Sequence, residues 1–499
     1  MGNTRPGLAR QFGLFLLFAA TVAHGQPRPH DGTFLDASKF MDCNSSVVDD
    51  CKKLATQYYK HTGIFDFNGN PSADKGTIAR WRAFHHFNAN PSSVPPNASD
   101  EVRVSYYNHG DLGIGRDMHC KRYDTPVSSP FPGPGKFETL ACYVTNYGDS
   151  VHNFSLSNVG EAIANAAAAK DDGLGGHNPI ATVVMETTFV EGFGFRESEV
   201  SFAAFDQAGQ PVTEATLDIS NNGQNRQAVP GTCISCHGGY GADGPRTRVK
   251  AAGGQVIVQN ARFLPFDTTQ FLYGNGTRKV PTPGEQDQFR KLNAMIHSLY
   301  KAWSEHPIKD LIEGWYASCA QGVGQVGCVQ DTTFVPAKLC PPFNPNNPLA
   351  GKYQTCGWTT GAPNFPQTKP GYDIKNFYLS VPAKYCRSCH VGGFEQFNVQ
   401  SFASWMGQGP GGGTAILVDL FARRNAAMPF AEAAYNNFVS DTAAVKALAD
   451  FLDPREPPKL RAACLIRCAN TKKACDAEPN PNRPKCRQEW RQCVKECPL

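Results

Sequence analysis

Apolar and polar positions alternate in short stretches between residues 101 and 220, the pattern of half-buried strands. Val102-Arg103-Val104-Ser105-Tyr106 alternates, and Leu140-Ala141-Cys142-Tyr143-Val144 is a short apolar run. Glu199–Phe205 and Val212–Ile219 flank Gln207-Ala208-Gly209-Gln210, which predicts a hairpin. Gln255–Asn260 reads as a further strand. Helical spacing appears over Lys75–Asn88, Ala162–Lys170 and Glu285–Trp303. Near the C-terminus Asp441 precedes an apolar stripe of Val445, Leu448 and Leu452 that ends before Pro454, the outline of an N-capped helix. Strands first and helices later predict an α+β chain with more than one domain.

The N-terminus adds a different pattern. Arg5 and Arg10 precede an apolar run from Phe12 to Ala23, followed by Ala23-His24-Gly25. This is the outline of a secretory signal peptide, with a mature chain beginning at Gln26. The run is shorter than the roughly 20 residues a membrane span needs, which weighs against an uncleaved anchor. No later segment is long and apolar enough to span. A length of 499 residues implies several domains, and 41% hydrophobic with 18% charged residues excludes a disordered chain. A net charge of +4 is too small at this size to suggest nucleic-acid binding. Eighteen cysteines fit export to an oxidising compartment, the periplasm or the exterior.

Two segments carry chemistry: Cys233-Ile234-Ser235-Cys236-His237 and Cys386-Arg387-Ser388-Cys389-His390. Both are C-x-x-C-H, the attachment pattern of c-type haem. Two thiols three positions apart reach the two vinyl groups on one porphyrin edge, and the adjacent His then ligates iron from below. A zinc site shared by the two pairs would need them close in space across 153 residues, far from ribbon spacing. A thioredoxin-like dithiol wants a βαβ context and no His after the second Cys. A local disulfide across two residues makes a strained ring. Two covalent haem c groups, with His237 and His390 as iron ligands, are the expectation.

Around the second motif, from about Tyr372 to Asp453, the chain resembles a class I cytochrome c domain. The features that carry the resemblance are His390, a Gly-rich loop from Gly407 to Gly413, Ala427-Met428-Pro429 and the helix after Asp441. The resemblance implies a mostly α-helical domain in which Met428 is the sixth ligand, with Met406 in reserve, and the last helix packs beside the haem. Met/His ligation raises the reduction potential and closes the iron to substrates.

The first motif has no Met-Pro after it. Its sixth-ligand candidates are Met118 and His119, from Gly115-Arg116-Asp117-Met118-His119-Cys120, and Met295, with Met185 a weaker choice. The Gly115–Cys120 stretch reads as a glycine-bordered loop. There Arg116 and Asp117 could stand over an open iron, or the loop could simply be pinned to the surface by a Cys120–Cys142 bridge. Met295 and His297 lie two apart on a helix, so at most one could face iron, and both read better as packing or surface residues. His85 and His86 read as residues of a polar helix face.

The remaining cysteines suggest bridges. Four bind haem and fourteen are left, enough for seven disulfides. Cys43–Cys51, Cys319–Cys328 and Cys340–Cys356 would close local loops. Cys464, Cys468, Cys475, Cys486, Cys493 and Cys497 are spaced 4, 7, 11, 7 and 4, a palindrome with each trio on one helical stripe. With Pro479, Pro481 and Pro484 at its centre, this predicts an antiparallel helical hairpin bridged Cys464–Cys497, Cys468–Cys493 and Cys475–Cys486. Residues 455–499 carry net +6, so the hairpin could dock an acidic redox partner or an anionic membrane surface, or serve only as a solvated, stapled cap.

The expected order is therefore a signal peptide (1–25), a mixed β-rich domain (26–220), a first haem region (221–317) and a disulfide-rich connector (318–370). A cytochrome c-like domain (371–454) and the hairpin (455–499) follow. Two function classes remain. One is an exported dihaem cytochrome that transfers electrons to and from a redox partner protein. The other is a dihaem oxidoreductase, a peroxidase or an oxygenase, with a catalytic first haem fed by the second.

Overall fold

The computed structural model describes residues 48–88, 101–124 (without 111), 137–148, 158–168, 179–190, 200–216 and 226–238. It further describes 248–259 (without 253–254), 261–335 (without 275, 277 and 303–305), 374–387, 440–452 and single helical positions between 391 and 493. The expected signal peptide and the Cys43–Cys51 and Cys340–Cys356 bridges lie outside the described residues.

In chain order the first elements are α1 (Val48–His61), α2 (Ile78–Phe84), β1 (Glu101–Asn108), β2 (Gly115–Asp124), β3 (Phe137–Tyr147), α3 (Val159–Ala167), β4 (Pro179–Val190), β5 (Val200–Phe205) and β6 (Pro211–Val212). Next come β7 (Glu214–Thr216), β8 (Arg226–Ala228), α4 (Gly231–His237), β9 (Arg248–Ala252), β10 (Gln255–Gln259) and β11 (Phe271–Leu272). The helices α5 (Pro283–Tyr300), α6 (Pro307–Trp315), α7 (Ile374–Ser380), α8 (Pro382–Tyr385) and α9 (Thr442–Leu452) complete the set. The chain is thus α+β, built on an antiparallel seven-stranded sheet in the order β11-β1-β2-β3-β4-β5-β6.

The predicted hairpin forms between β5 and β6, with Ala204 opposite Val212, but it is short. The continuation Glu214–Thr216 leaves β5 and pairs with β8. The exposed edge of β5 is then met by two tyrosines of α1. The Phe202 N–H donates to the Tyr58 hydroxyl at 2.6 Å and the Ala204 N–H to the Tyr59 hydroxyl at 2.9 Å. Tyr59 donates onward to the Val212 carbonyl at 2.7 Å. Side chains thus satisfy a sheet edge that would otherwise stand as a template for pairing.

Gly115–Cys120 is not a loop. It is the first half of β2, paired on both sides with β1 and β3. Its charged residues read as loop because the second face of this sheet is polar and yet covered. On that face Asp117 accepts from Arg103 Nε at 2.8 Å and from Ser105 Oγ at 3.2 Å, and it contacts His119 Nε2 at 3.0 Å. The His119 ring lies flat against Tyr143, centroids 4.5 Å apart. Trp81, Arg82 and Phe87, from α2 and the residues just after it, close over Tyr143. His85 is likewise not on a solvated helix face. It is buried, with Nδ1 2.7 Å from the Tyr123 hydroxyl and Nε2 against Glu186, which also pairs with Lys75 at 2.7 Å. His86 remains exposed.

Further along this face α3 sits so close that a Cβ on Gly115 would fall 2.1 Å from the Ala162 carbonyl oxygen. The opposite face packs against α1, α4, α5 and α6, and the main apolar core continues around the sheet to Ile78, Trp81, Phe87 and Tyr143 on the α2 side. The longest helix, α5, starts with a capping box: Thr282 accepts from the Glu285 N–H, Glu285 accepts from the Thr282 N–H, and Pro283 fills the first turn.

Disulfides join Cys120 to Cys142, Cys319 to Cys328, Cys468 to Cys493 and Cys475 to Cys486, as the spacing suggests. Cys464 is disulfide-bonded as well, and Cys497 lies outside the described residues. Among the described residues no helix is long and apolar enough to cross a membrane.

Two outcomes follow from this packing. Gly115→Ala forces α3 off the sheet, and overpacking of this kind costs about 1–3 kcal/mol, read as a lower urea midpoint. An unchanged midpoint would refute the close approach. The second concerns acid. Burial alone would raise the Glu186 pKa, but hydrogen bonding to His85 and the Lys75 charge outweigh it and bring it from 4.5 down to about 2. A carboxyl held below its unfolded value stabilises the fold above about pH 4.5, and that contribution is lost as pH falls towards about 2. Urea midpoints should therefore drop between pH 5 and 2, and less steeply in Glu186→Gln.

Candidate functional site

The first C-x-x-C-H motif is itself the helix α4, entered from β8 through Val229, whose N–H donates to Thr213 at 2.9 Å. Ile234 is buried in the main core and anchors the helix, while Cys233 packs partly buried against the same core. Three residues of separation put Cys233 and Cys236 on one side of the helix. Both stand outside any disulfide. Burial pushes the Cys233 thiol up to about 12, so it is held protonated.

His237 ends the helix and meets the segment that follows β10. Its Nδ1 lies 2.7 Å from the Arg262 carbonyl oxygen, and its own carbonyl accepts from the Arg262 N–H at 2.7 Å. A carbonyl only accepts, so Nδ1 carries the proton and Nε2 presents its lone pair. Burial, aided by the nearby Arg116 charge and opposed by the Arg262 hydrogen bond, lowers the His237 pKa from 6.5 to about 4. The imidazole is therefore neutral at pH 7. Phe202 of β5 lies against its ring, centroids 5.8 Å apart. A neutral imidazole with one nitrogen tied to a carbonyl and the other lone pair available is the condition a metal-binding histidine needs. Together with the two thiols, these residues fit a c-type haem.

The strand register sorts the other candidates. Arg116, Met118 and Cys120 share the face that carries Phe202 and Met185, because directly opposed residues point the same way. Asp117 and His119 point to the other face, into the buried network beneath α2. The structure thus puts Arg116 near His237 and separates Asp117 from it. Met118 packs against the main core from the His237 face, whereas His119 is on the far side of the sheet. Met295 is buried in the core on α5. His297, two residues on, is at the surface and pairs with Glu313 of α6 at 2.9 Å. Both match the packing and surface roles expected of them.

Of the second motif, Cys386 and Arg387 are described, while Cys389 and His390 lie outside the described residues, as do Met406, the 407–413 loop and Met428. Cys386 is buried and outside any disulfide. Asp441 caps α9 as its sequence predicts, accepting from the Ala443 and Ala444 N–H groups at 3.1 Å, and also accepts from the Tyr385 hydroxyl at 2.8 Å. Val445 and Leu448 of the predicted stripe are buried.

Sequence reasoning missed the residues that tie the second motif to the segment following His237's partner Arg262. Arg387, between the two cysteines of the second motif, is buried against Asp267, with its Nε donating to Oδ2 at 2.9 Å. Its Nη1 donates to the Tyr378 hydroxyl at 2.9 Å, and its guanidinium lies over the Trp315 ring at 5.3 Å. The other Asp267 oxygen accepts from the Thr269 N–H at 3.1 Å and the Thr269 hydroxyl at 2.7 Å. Gln270 Nε2 donates to the Ala383 carbonyl at 2.7 Å. The only sequence signal was a charge lodged inside an attachment motif, opposite an acid 120 residues away.

No family model, curated protein or solved structure matches this chain. The reading therefore rests on the motifs and the geometry around them.

The placement of Asp117 has a measurable consequence. Asp117→Asn breaks a buried charge cluster and should cost on the order of 3 kcal/mol in urea unfolding. Because the side chain faces away from His237, the visible absorption bands of a haem at that motif should not move. A band shift without loss of stability would place Asp117 at the iron instead.

Proposed function

We propose that this chain is an exported c-type cytochrome that binds two covalent haems and transfers electrons. The observation that carries the reading is the geometry at His237: its Nδ1 lies 2.7 Å from the Arg262 carbonyl oxygen, which leaves Nε2 as the nitrogen without the proton, directly after two cysteines that stand outside any disulfide. Cys233 and Cys236 would hold the group through thioether bonds, and His237 would supply the axial nitrogen. At the second motif Cys386 and Cys389 would attach, with His390 and Met428 as axial ligands. A haem held in this way supplies one-electron exchange between ferric and ferrous iron.

The chain's own contribution is to fix and to tune. The Arg262 carbonyl sets the orientation of the His237 ring and makes Nε2 a stronger donor. Phe202 and the surrounding core keep that ring away from water, which sharpens the effect of the Arg116 charge on the site. A nearby positive charge favours the reduced, less positive iron. Transfer is favoured over turnover because Arg116 and Asp117, the acid–base pair that an open iron would use, face opposite sides of the sheet. The hairpin over residues 455–499, with its net charge of +6, would present a docking surface to an acidic redox partner.

The test is a haem count followed by spectroscopy on protein matured by a c-type haem-attachment system. The pyridine haemochrome should report two covalent haems per chain, and one in the Cys233→Ala/Cys236→Ala variant. Low-temperature electron paramagnetic resonance of the oxidised protein should show two low-spin centres that hydrogen peroxide leaves unchanged. A high-spin centre that reacts with peroxide would replace the carrier reading with a dihaem peroxidase or oxygenase. No covalent haem at all would refute both.

A further inference from the structure

The first motif supplies one axial nitrogen, and the sheet beside it supplies the surroundings. Ladder pairing sets Met118 level with Val144, Val183 and Ala204 on the neighbouring strands. Ala204 is two residues from Phe202, so the period of two puts Met118 on the face whose Phe202 ring lies 5.8 Å from the His237 ring. Arg116, two residues back along β2 and on the same face, is near enough for its charge to act on His237. Register and charge thus place this stretch of β2 on the side of His237.

Burial singles out Met118 within that stretch. β2 lies inside the sheet, with β1 and β3 on either side. A side chain on the core face of an interior strand is ordinarily covered, and Val104, Cys120 and Val144 around Met118 are buried. Met118 is only partly buried, and so is Arg116. Cys233, Cys236 and His237 on α4 are partly buried in the same way. The core therefore closes over the neighbours of Met118 and over Ile234 of the motif helix, but not over the sulfur-bearing residue of the strand or the histidine that ends the helix.

The other donors of this region are committed elsewhere. Cys120 and Cys142 are bridged to each other. His119 lies on the opposite face of the sheet, stacked on Tyr143 and held by Asp117. Met185 is buried opposite Phe202, and Met295 is buried on α5. Arg116 stays protonated and has no lone pair to give. A thioether, by contrast, is a soft neutral donor with no proton to lose.

We propose that Met118 is the sixth ligand of the iron held by His237, a methionine drawn from a strand that precedes the attachment motif. The proposal rests on the two-haem reading above and deepens it by naming a ligand. It accounts for the first motif having no Met-Pro after it, because the ligand stands before the motif in the chain. Met/His ligation closes the iron to substrates and raises its potential, and the Arg116 charge acts in the same direction.

The test replaces the sulfur and keeps the packing. Met118→Leu conserves volume, a swap that cores tolerate. In haem-loaded full-length protein it should turn one of two low-spin centres high-spin, read by low-temperature electron paramagnetic resonance. The midpoint of that centre should fall by at least a tenfold shift in the ferric/ferrous ratio, about 59 mV for one electron. Met118→His, which returns a donor atom, should restore the low-spin signal with a midpoint still below the parent's. A packing role alone would give neither the spin change nor its rescue. In the Cys233→Ala/Cys236→Ala background, Met118→Leu should leave the remaining haem unchanged, which assigns the effect to the first site. Two low-spin centres surviving in Met118→Leu, or an effect that persists in that background, would overturn the ligand assignment and leave the carrier reading in place. A parent protein with fewer than two covalent haems would instead remove the reading beneath it, and the haem count separates that failure from the other.

Discussion

The six residues from Arg262 to Asp267 are the constraint on which both candidate sites depend. They are neither helix nor strand, so their backbone groups have no ladder to join, and buried backbone groups without partners are costly. Several are met by neighbours: the Arg262 N–H and carbonyl by His237, the Phe263 carbonyl by Tyr300, and the Phe266 N–H and carbonyl by Asn293, while the Asp267 side chain meets Arg387. The longest and best-capped helix of the structure is thus the support behind an irregular segment. That segment in turn gives His237 its tautomer and Arg387 its place.

The same economy explains the sheet. Seven antiparallel strands covered on both faces would ordinarily be apolar on both. Here one face holds the core beneath α4 and α5, and the other holds Asp117, His119, Arg103, Glu186, His85 and Lys75 under α2. These charges are buried with partners, so the cost of desolvation is offset by short ion pairs and by the stacking of His119 on Tyr143. The polar face is built of side chains that pair with one another. It lets β2 be buried while its apolar-face residues, Arg116 and Met118 among them, point towards His237.

How much of this was legible in the sequence depends on whether the signal was local. The strands around Val102 and Leu140, the helix after Asp441 and the Cys468–Cys493 and Cys475–Cys486 bridges rest on period, caps and spacing, and the structure has them. Gly115–Cys120 was misread because alternation only marks a strand when one face is apolar and the other wet. Arg-Asp-Met-His alternates between an apolar and a buried polar side, which looks like a loop until Arg103 and Tyr143 are placed opposite. The hairpin after β5 was overextended because nothing in Val212–Ile219 shows that Glu214–Thr216 prefers β8. His237 is singled out by its motif alone. Arg262 was invisible, because what it contributes to His237 is a backbone carbonyl that any residue could supply. Asp267 and Arg387 were invisible as a pair because a contact across 120 residues leaves no period to count.

The cysteines draw these threads together. The two cysteines at the first motif stand outside any disulfide. Burial pushes the Cys233 thiol up to about 12, and a protonated thiol is a poor nucleophile for disulfide exchange. Among the described residues the Cys120–Cys142 bridge ties β2 to β3, Cys468–Cys493 and Cys475–Cys486 join stretches of the C-terminal region, and Cys319–Cys328 closes a local loop. The cysteines outside disulfides lie where the chain is held by other means, beside the His237–Arg262 hydrogen bonds and the Arg387–Asp267 ion pair.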